Sequence, residues 1–150
     1  MVIKGQYTIP AARERVWEAL LDPEVLARTL PGCESLESLG DNQYKMRMKL
    51  ALASVQRLFD GKVSLEDQQP PSSYRLRVSG TGKIGFVNGS GQLKLEPCGD
   101  SETVVSYEGE VKVGGMIAAV GQRLLDMTSK MMTKRFFLAL VAEFNPVASD

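Results

Sequence analysis

The sequence predicts an α+β fold in which an antiparallel sheet of about seven strands is covered by one long C-terminal helix. Three observations carry that expectation. Between Cys33 and Gly114, apolar and polar residues alternate with a period of two, in segments separated by glycine, proline and Asp/Asn turns. Residues 115–144 contain no proline and read with a helical period. Two short helical segments stand between the first strand and the alternating region.

Taken in order, Ile3, Tyr7 and Ile9 alternate with Lys4, Gln6 and Thr8, which predicts a half-buried first strand over residues 2–9. Pro10 ends it and suits the first turn of a helix, which residues 11–21 continue with Val16, Trp17, Leu20 and Leu21 at helical spacing. Asp22-Pro23 starts a second short helix, and Pro31-Gly32 stops it. Gly40-Asp41-Asn42 signals a hairpin, after which Tyr44, Met46, Met48, Leu50 and Leu52 alternate with Lys45, Arg47 and Lys49. Phe59, Val63 and Leu65 mark the next strand, Pro70-Pro71 a turn, and Tyr74, Leu76 and Val78 another strand. Leu93 and Leu95, then Val105, Tyr107, Val111 and Val113, complete the set. With one face apolar and the other charged, such a sheet is wetted on one side only and needs a cover on the other. Residues 115–144 would form a helix about 45 Å long. Its apolar face would carry Ile117, Val120, Gly121, Leu124, Thr128, Met131, Leu138, Ala139 and Ala142, with Gln122, Arg123, Asp126, Ser129, Lys130 and Thr133 opposite.

A chain of 150 residues is expected to be a single domain, residues 1–150. Lys plus Arg and Asp plus Glu number 18 each, so the basic excess of most nucleic-acid binders is missing. The sequence contains no histidine, which removes Ser-His-Asp and Cys-His nucleophiles, histidine bases and histidine-ligated metals together. No metal site is expected. No N-terminal apolar region resembles a signal peptide, and no apolar run approaches a membrane span. Cys33 and Cys98 form no CxxC pair and are expected to be reduced. The expected location is cytoplasmic, with a peripheral position at the inner face of the membrane as the second option.

The order of elements resembles the helix-grip fold of the START and Bet v1-like (SRPBCC) superfamily, in which a curved sheet wraps a long C-terminal helix and often encloses an apolar cavity. A closer resemblance lies in particular residues. Val16-Trp17-Glu18-Ala19-Leu20-Leu21-Asp22-Pro23-Glu24-Val25-Leu26 and Leu30-Pro31-Gly32-Cys33-Glu34 resemble the N-terminal signature of the CoxG family of carbon monoxide dehydrogenase subunits. Val113-Gly114-Gly115, Gly121-Gln122-Arg123-Leu124-Leu125 and Phe136-Phe137 resemble its C-terminal signature. The match is looser over residues 51–91. Some members of that family carry a longer C-terminal extension that contacts membrane, whereas this sequence runs to Asp150, so a stable anchor is not expected.

Several candidate sites compete with plainer readings. Gly80-Thr81-Gly82-Lys83-Ile84-Gly85 fits a GxGxxG pattern, but that pattern binds dinucleotides only between a strand and a helix; another strand is expected here, which favours glycines that ease sheet curvature. Tyr7, Tyr44, Tyr74 and Tyr107 all have the parity of the dry face, either paired at the edge of a core or ringing a pocket around the polar head of a ligand. Arg135 falls by phase on the apolar face, as a snorkelling rim residue or as a cation at a cavity mouth. Met46, Met48, Met131 and Met132 offer adaptable lining. Segment 136–144, from Phe136 to Phe144, is apolar nearly all round and is expected to meet an oligomer partner, a protein partner or a membrane.

The reading favoured by these residues is non-catalytic binding of an apolar small molecule between sheet and helix, with Tyr44, Met48, Tyr74, Tyr107, Leu124, Thr128, Met131 and Arg135 as ligand-binding candidates. No covalent cofactor is expected; a bound quinone or lipid is. The resemblance implies an accessory role beside a CO dehydrogenase-like molybdenum hydroxylase, in membrane association or quinone delivery. The alternatives are a cyclase or hydrolase of the same superfamily, for which the dry face offers no base, and a protein adaptor with a filled core.

Overall fold

The computed structural model describes residues 1–52 and 55–144. Its elements are β1 (Val2–Ile9), α1 (Arg13–Leu21), α2 (Pro23–Thr29), β2 (Cys33–Gly40), β3 (Gln43–Leu52), β4 (Val55–Gln69), β5 (Ser73–Gly82), β6 (Gly85–Cys98), β7 (Glu102–Gly114), a 3₁₀ segment (Gly115–Val120) and α3 (Gln122–Glu143). The seven strands form one sheet in the order β1-β7-β6-β5-β4-β3-β2, antiparallel at every pair. Strands β2 to β7 run as a meander of hairpins, and β1 returns to pair with β7. This is the curved, open helix-grip sheet with short helices and a long C-terminal helix.

Local chemistry sets the boundaries. The hairpin between β2 and β3 turns through Gly40, Asp41 and Asn42, all with positive φ, as residues of these types allow. Asp22 ends α1 and caps α2: its carboxylate accepts from the Glu24 N–H at 2.9 Å, and Pro23 fills the first turn, where its missing N–H costs nothing. Thr103, fully buried in β7, donates its hydroxyl to the Ala11 carbonyl at 2.8 Å and ties the β1–α1 connection to the sheet. Around it Ile9, Val16, Trp17, Leu20, Leu95, Val105, Phe137 and Leu140 form the main core.

The C-terminal helix departs from expectation. Residues 115–144 are two pieces, because Gly121 adopts φ 97° and ψ 151°, outside the helical region and open to glycine. Only Gln122–Glu143 is α-helical, about 33 Å long at the usual rise. The break resets the helical phase. Leu125, Ser129, Met132, Phe136, Phe137, Leu140 and Val141 turn inward, whereas Met131 is 40% and Leu138 55% exposed. The apolar face read from the sequence is therefore rotated by about one residue, or 100°. Segment 136–144 is not the exposed apolar patch expected of it: Phe136, Phe137, Leu140, Val141 and Phe144 pack against the core, leaving Leu138 outside.

Candidate functional site

Helix α3 packs against β1 and α2, so it covers only one side of the sheet. Over β3, β4 and β5 the inner face remains partly uncovered, and a cavity of about 410 Å³ lies there. Leu20, Leu26 and Leu30 from α1, α2 and the turn after them close one side, and Met132, Phe136 and Phe137 of α3 close another. The sheet contributes Leu36, Tyr44, Met46, Met48, Leu50, Phe59, Val63, Leu65 and Tyr74, with Leu76, Val78, Val87, Leu93 and Tyr107 beyond.

The space exists because inward positions in the middle of the sheet carry no side chain. Gly61 and Gly80 face each other across β4 and β5 and line the cavity as bare backbone. A methyl group added at Gly80 would meet nothing closer than 3.9 Å, so the volume above it is open. Its neighbour Gly82 is different: a methyl there would lie 2.7 Å from the Leu58 carbonyl oxygen. The GxGxxG stretch thus forms the β5–β6 hairpin and the cavity floor, with a strand after it where a phosphate loop needs a helix.

The polar groups of the lining are few. Ser79 belongs to the opposite, exposed face, and no charged side chain lines the cavity among the described residues. Tyr44 donates its hydroxyl to the Leu21 carbonyl at 2.8 Å, which joins β3 to the end of α1. Tyr107 lies across β1, where a methyl at Gly5 would sit 2.5 Å from the phenolic oxygen. Tyr74 is 4% exposed and its ring meets Trp17 edge-on at 5.5 Å. Burial pushes all three phenols above their ordinary value, with Asp22 adding to the effect at Tyr44, Tyr44 at Tyr74 and Tyr7 at Tyr107. All three are therefore neutral O–H donors near neutral pH. No group of three or more metal-ligating side chains occurs among the described residues.

Of the candidates read from the sequence, Tyr44, Met48, Tyr74 and Tyr107 come together in the lining. Leu124, Thr128, Met131 and Arg135 do not, because the phase reset at Gly121 turns that face away. Arg135 is exposed and is neither a cavity-mouth cation nor, among the described residues, part of an ion pair. Met132 and Phe136 take the places assigned to Met131 and Arg135. The leucines of α1 and α2 and the floor glycines escaped the sequence reading, although the inward parity of Gly61 and Gly80 within β4 and β5 was a usable signal.

A larger groove of about 590 Å³ crosses the outer face of the sheet, lined by Lys62, Arg77, Lys112, Glu110 and small polar residues. It is the solvated side of a one-sided sheet. The apolar cavity is the better candidate, since it combines enclosure with a dry lining.

Solved structures support the same architecture. A conserved protein from Geobacillus kaustophilus is 34% identical, with a TM-score of 0.92 over 97% of this chain and 96% of its own. A START superfamily protein from Mycobacterium smegmatis is 11% identical, with a TM-score of 0.75 over 97% of this chain and 98% of its own. The Zhui aromatase/cyclase from Streptomyces sp. R1128 is 17% identical, with a TM-score of 0.70 over 95% of this chain and 92% of its own. The last two show the fold alone. No curated protein sequence matches the chain. The family model for CoxG, among the carbon monoxide dehydrogenase subunits, matches residues 5–144, and the chain belongs to that family.

Proposed function

We propose that the protein is a non-catalytic carrier that holds an apolar small molecule, a quinone or a lipid, in the cavity between sheet and α3. The observation that carries this reading is the cavity: about 410 Å³, floored by Gly61 and Gly80 and free of charged lining among the described residues. That volume lies within the range of small-molecule pockets, and a well-packed core of this size would not keep it. Membership of the CoxG family supports a role beside a CO dehydrogenase-like molybdenum hydroxylase, in quinone delivery or membrane association.

A cyclase or hydrolase reading needs a base. The described lining offers only phenols held neutral by burial, with no carboxylate, and the sequence has no histidine. No helix is long and apolar enough to cross a membrane. Peripheral contact would use the outer side of α3 rather than segment 136–144. There Met127, Met131 and Leu138 stand exposed beside Arg123, Lys130, Lys134 and Arg135.

Native mass spectrometry on protein purified gently from its own host, followed by extraction, tests the carrier reading. A stoichiometric quinone or lipid is expected. A clean apo mass, with no uptake of an added prenylated naphthoquinone or phospholipid, would overturn it and leave the adaptor.

A further inference from the structure

We infer that Tyr74 selects the head of the bound molecule: the cavity takes a neutral head with a hydrogen-bond acceptor, such as a carbonyl, and rejects carboxylate or phosphate heads. This rests on the carrier reading and names the chemical class that the cavity admits.

Three phenol hydroxyls belong to the described lining, and two are placed elsewhere. That of Tyr44 is spent on the Leu21 carbonyl, and that of Tyr107 lies over the backbone of Gly5 at the β1 side. The Tyr74 hydroxyl makes no hydrogen bond among the described residues, although the residue is 4% exposed and lines the cavity. An O–H withdrawn from bulk water without a partner is costly, and an acceptor on a ligand removes that cost. Trp17 holds the Tyr74 ring edge-on, so the donor is fixed before the ligand arrives.

The same lining decides against anions. A carboxylate placed at Tyr74 would sit in apolar surroundings with one neutral donor and no described cation to balance it. Arg135, the sequence's candidate for that cation, stands outside. A ketone, quinone or ester needs only the one donor that Tyr74 supplies.

The test is displacement of a prenylated 1,4-naphthoquinone from the intact protein by palmitate, methyl palmitate and an alkane of matched length, at about pH 8, where palmitate is ionised. Methyl palmitate is expected to compete at least about tenfold better than palmitate. Tyr74→Phe keeps the ring against Trp17 and should weaken the naphthoquinone and the ester about fivefold, leaving the alkane unchanged. Equal competition by palmitate and its ester would overturn the inference. So would a Tyr74→Phe variant that binds every ligand as the parent does, or one that loses the alkane equally. If ligands bind and Gly80→Leu blocks them while the head makes no difference, the carrier reading stands and this inference falls. If nothing binds the parent protein, both fall.

Discussion

The ring of Phe137 in α3 stacks on Tyr7 in β1, with centroids 4.5 Å apart and planes inclined by 12°. Tyr107 of β7 stacks on the same ring at 5.4 Å, and Phe136 meets it edge-on at 5.0 Å. This aromatic stack pins the helix to the β1–β7 side of the sheet. The cavity over β3–β5 is what remains uncovered. Fold stability and cavity position thus share one contact. Truncating Phe137 to Ala should cost about 3–5 kcal/mol, the range for a buried Phe. Chemical denaturation would measure it, and a loss below about 1 kcal/mol would show that the stack does not fix the helix.

Gly80 and Gly82 lie two residues apart on one strand and should respond oppositely to a side chain. At Gly80 the space is cavity, so Gly80→Leu should keep the fold and lower ligand affinity at least about tenfold by occupying the site. At Gly82 the Leu58 carbonyl is in the way, so Gly82→Ala should destabilise by about 1–3 kcal/mol. Melting curves and ligand titrations on both variants check the pair. A Gly80→Leu variant that binds like the parent would remove the floor glycines from the site.

Much of this arrangement was legible in the sequence. Tyr44, Met46, Met48 and Leu50 alternate with Lys45, Arg47 and Lys49, and a one-sided sheet requires that pattern. Strand β6 was harder. Gly85 to Gln92 places glycines at its inward positions 89 and 91, so half the strand shows no apolar alternation. The phase of α3 was lost for a different reason. Residues 136–144 are apolar nearly all round, so the register rested on residues before Gly121, and these belong to a separate 3₁₀ segment. The lining leucines of α1 and α2 look like ordinary helix core until the third dimension places them over the sheet.

Arg28 of α2 grips Glu143 at the end of α3 with contacts of 2.6–3.0 Å. The hydrogen bonds from Arg28 hold the Glu143 carboxyl below its ordinary value of 4.5. A carboxyl depressed on folding stabilises above its unfolded value, and the contribution is lost as pH falls through the folded one. Glu143→Gln should therefore lower Tm at neutral pH by about 1–3 °C, a small effect because the pair is solvent-screened. The gap should close as the solution is acidified past the lowered carboxyl value. A gap that persists or widens in acid would assign the effect to packing.

Trp17 is the sole tryptophan, and its ring lies 5.5 Å from that of Tyr74. Any quinone whose head reaches Tyr74 therefore comes within quenching distance of the one strong fluorophore. Adding a prenylated naphthoquinone should quench most of the tryptophan emission saturably, and Gly80→Leu should abolish the saturable part. Quenching that stays linear in quinone, with no plateau, would mean collision at the surface.

The outer side of α3 offers the last test. Arg123, Met127, Lys130, Lys134 and Leu138 recur at three- and four-residue spacing on one exposed face, with Met131 and Arg135 beside them. None of the four bases joins an ion pair among the described residues, while the exposed methionines and leucine supply an apolar contact. Basic residues near an anionic bilayer each contribute about 1 kcal/mol, so such a face should bind phosphatidylglycerol vesicles weakly and salt-sensitively. Reversing two charges with Lys130→Glu and Lys134→Glu should weaken co-sedimentation more than about tenfold, without loss of Tm. Equal binding to phosphatidylcholine vesicles, or an unaffected double variant, would remove the membrane from this face and leave it to the partner enzyme.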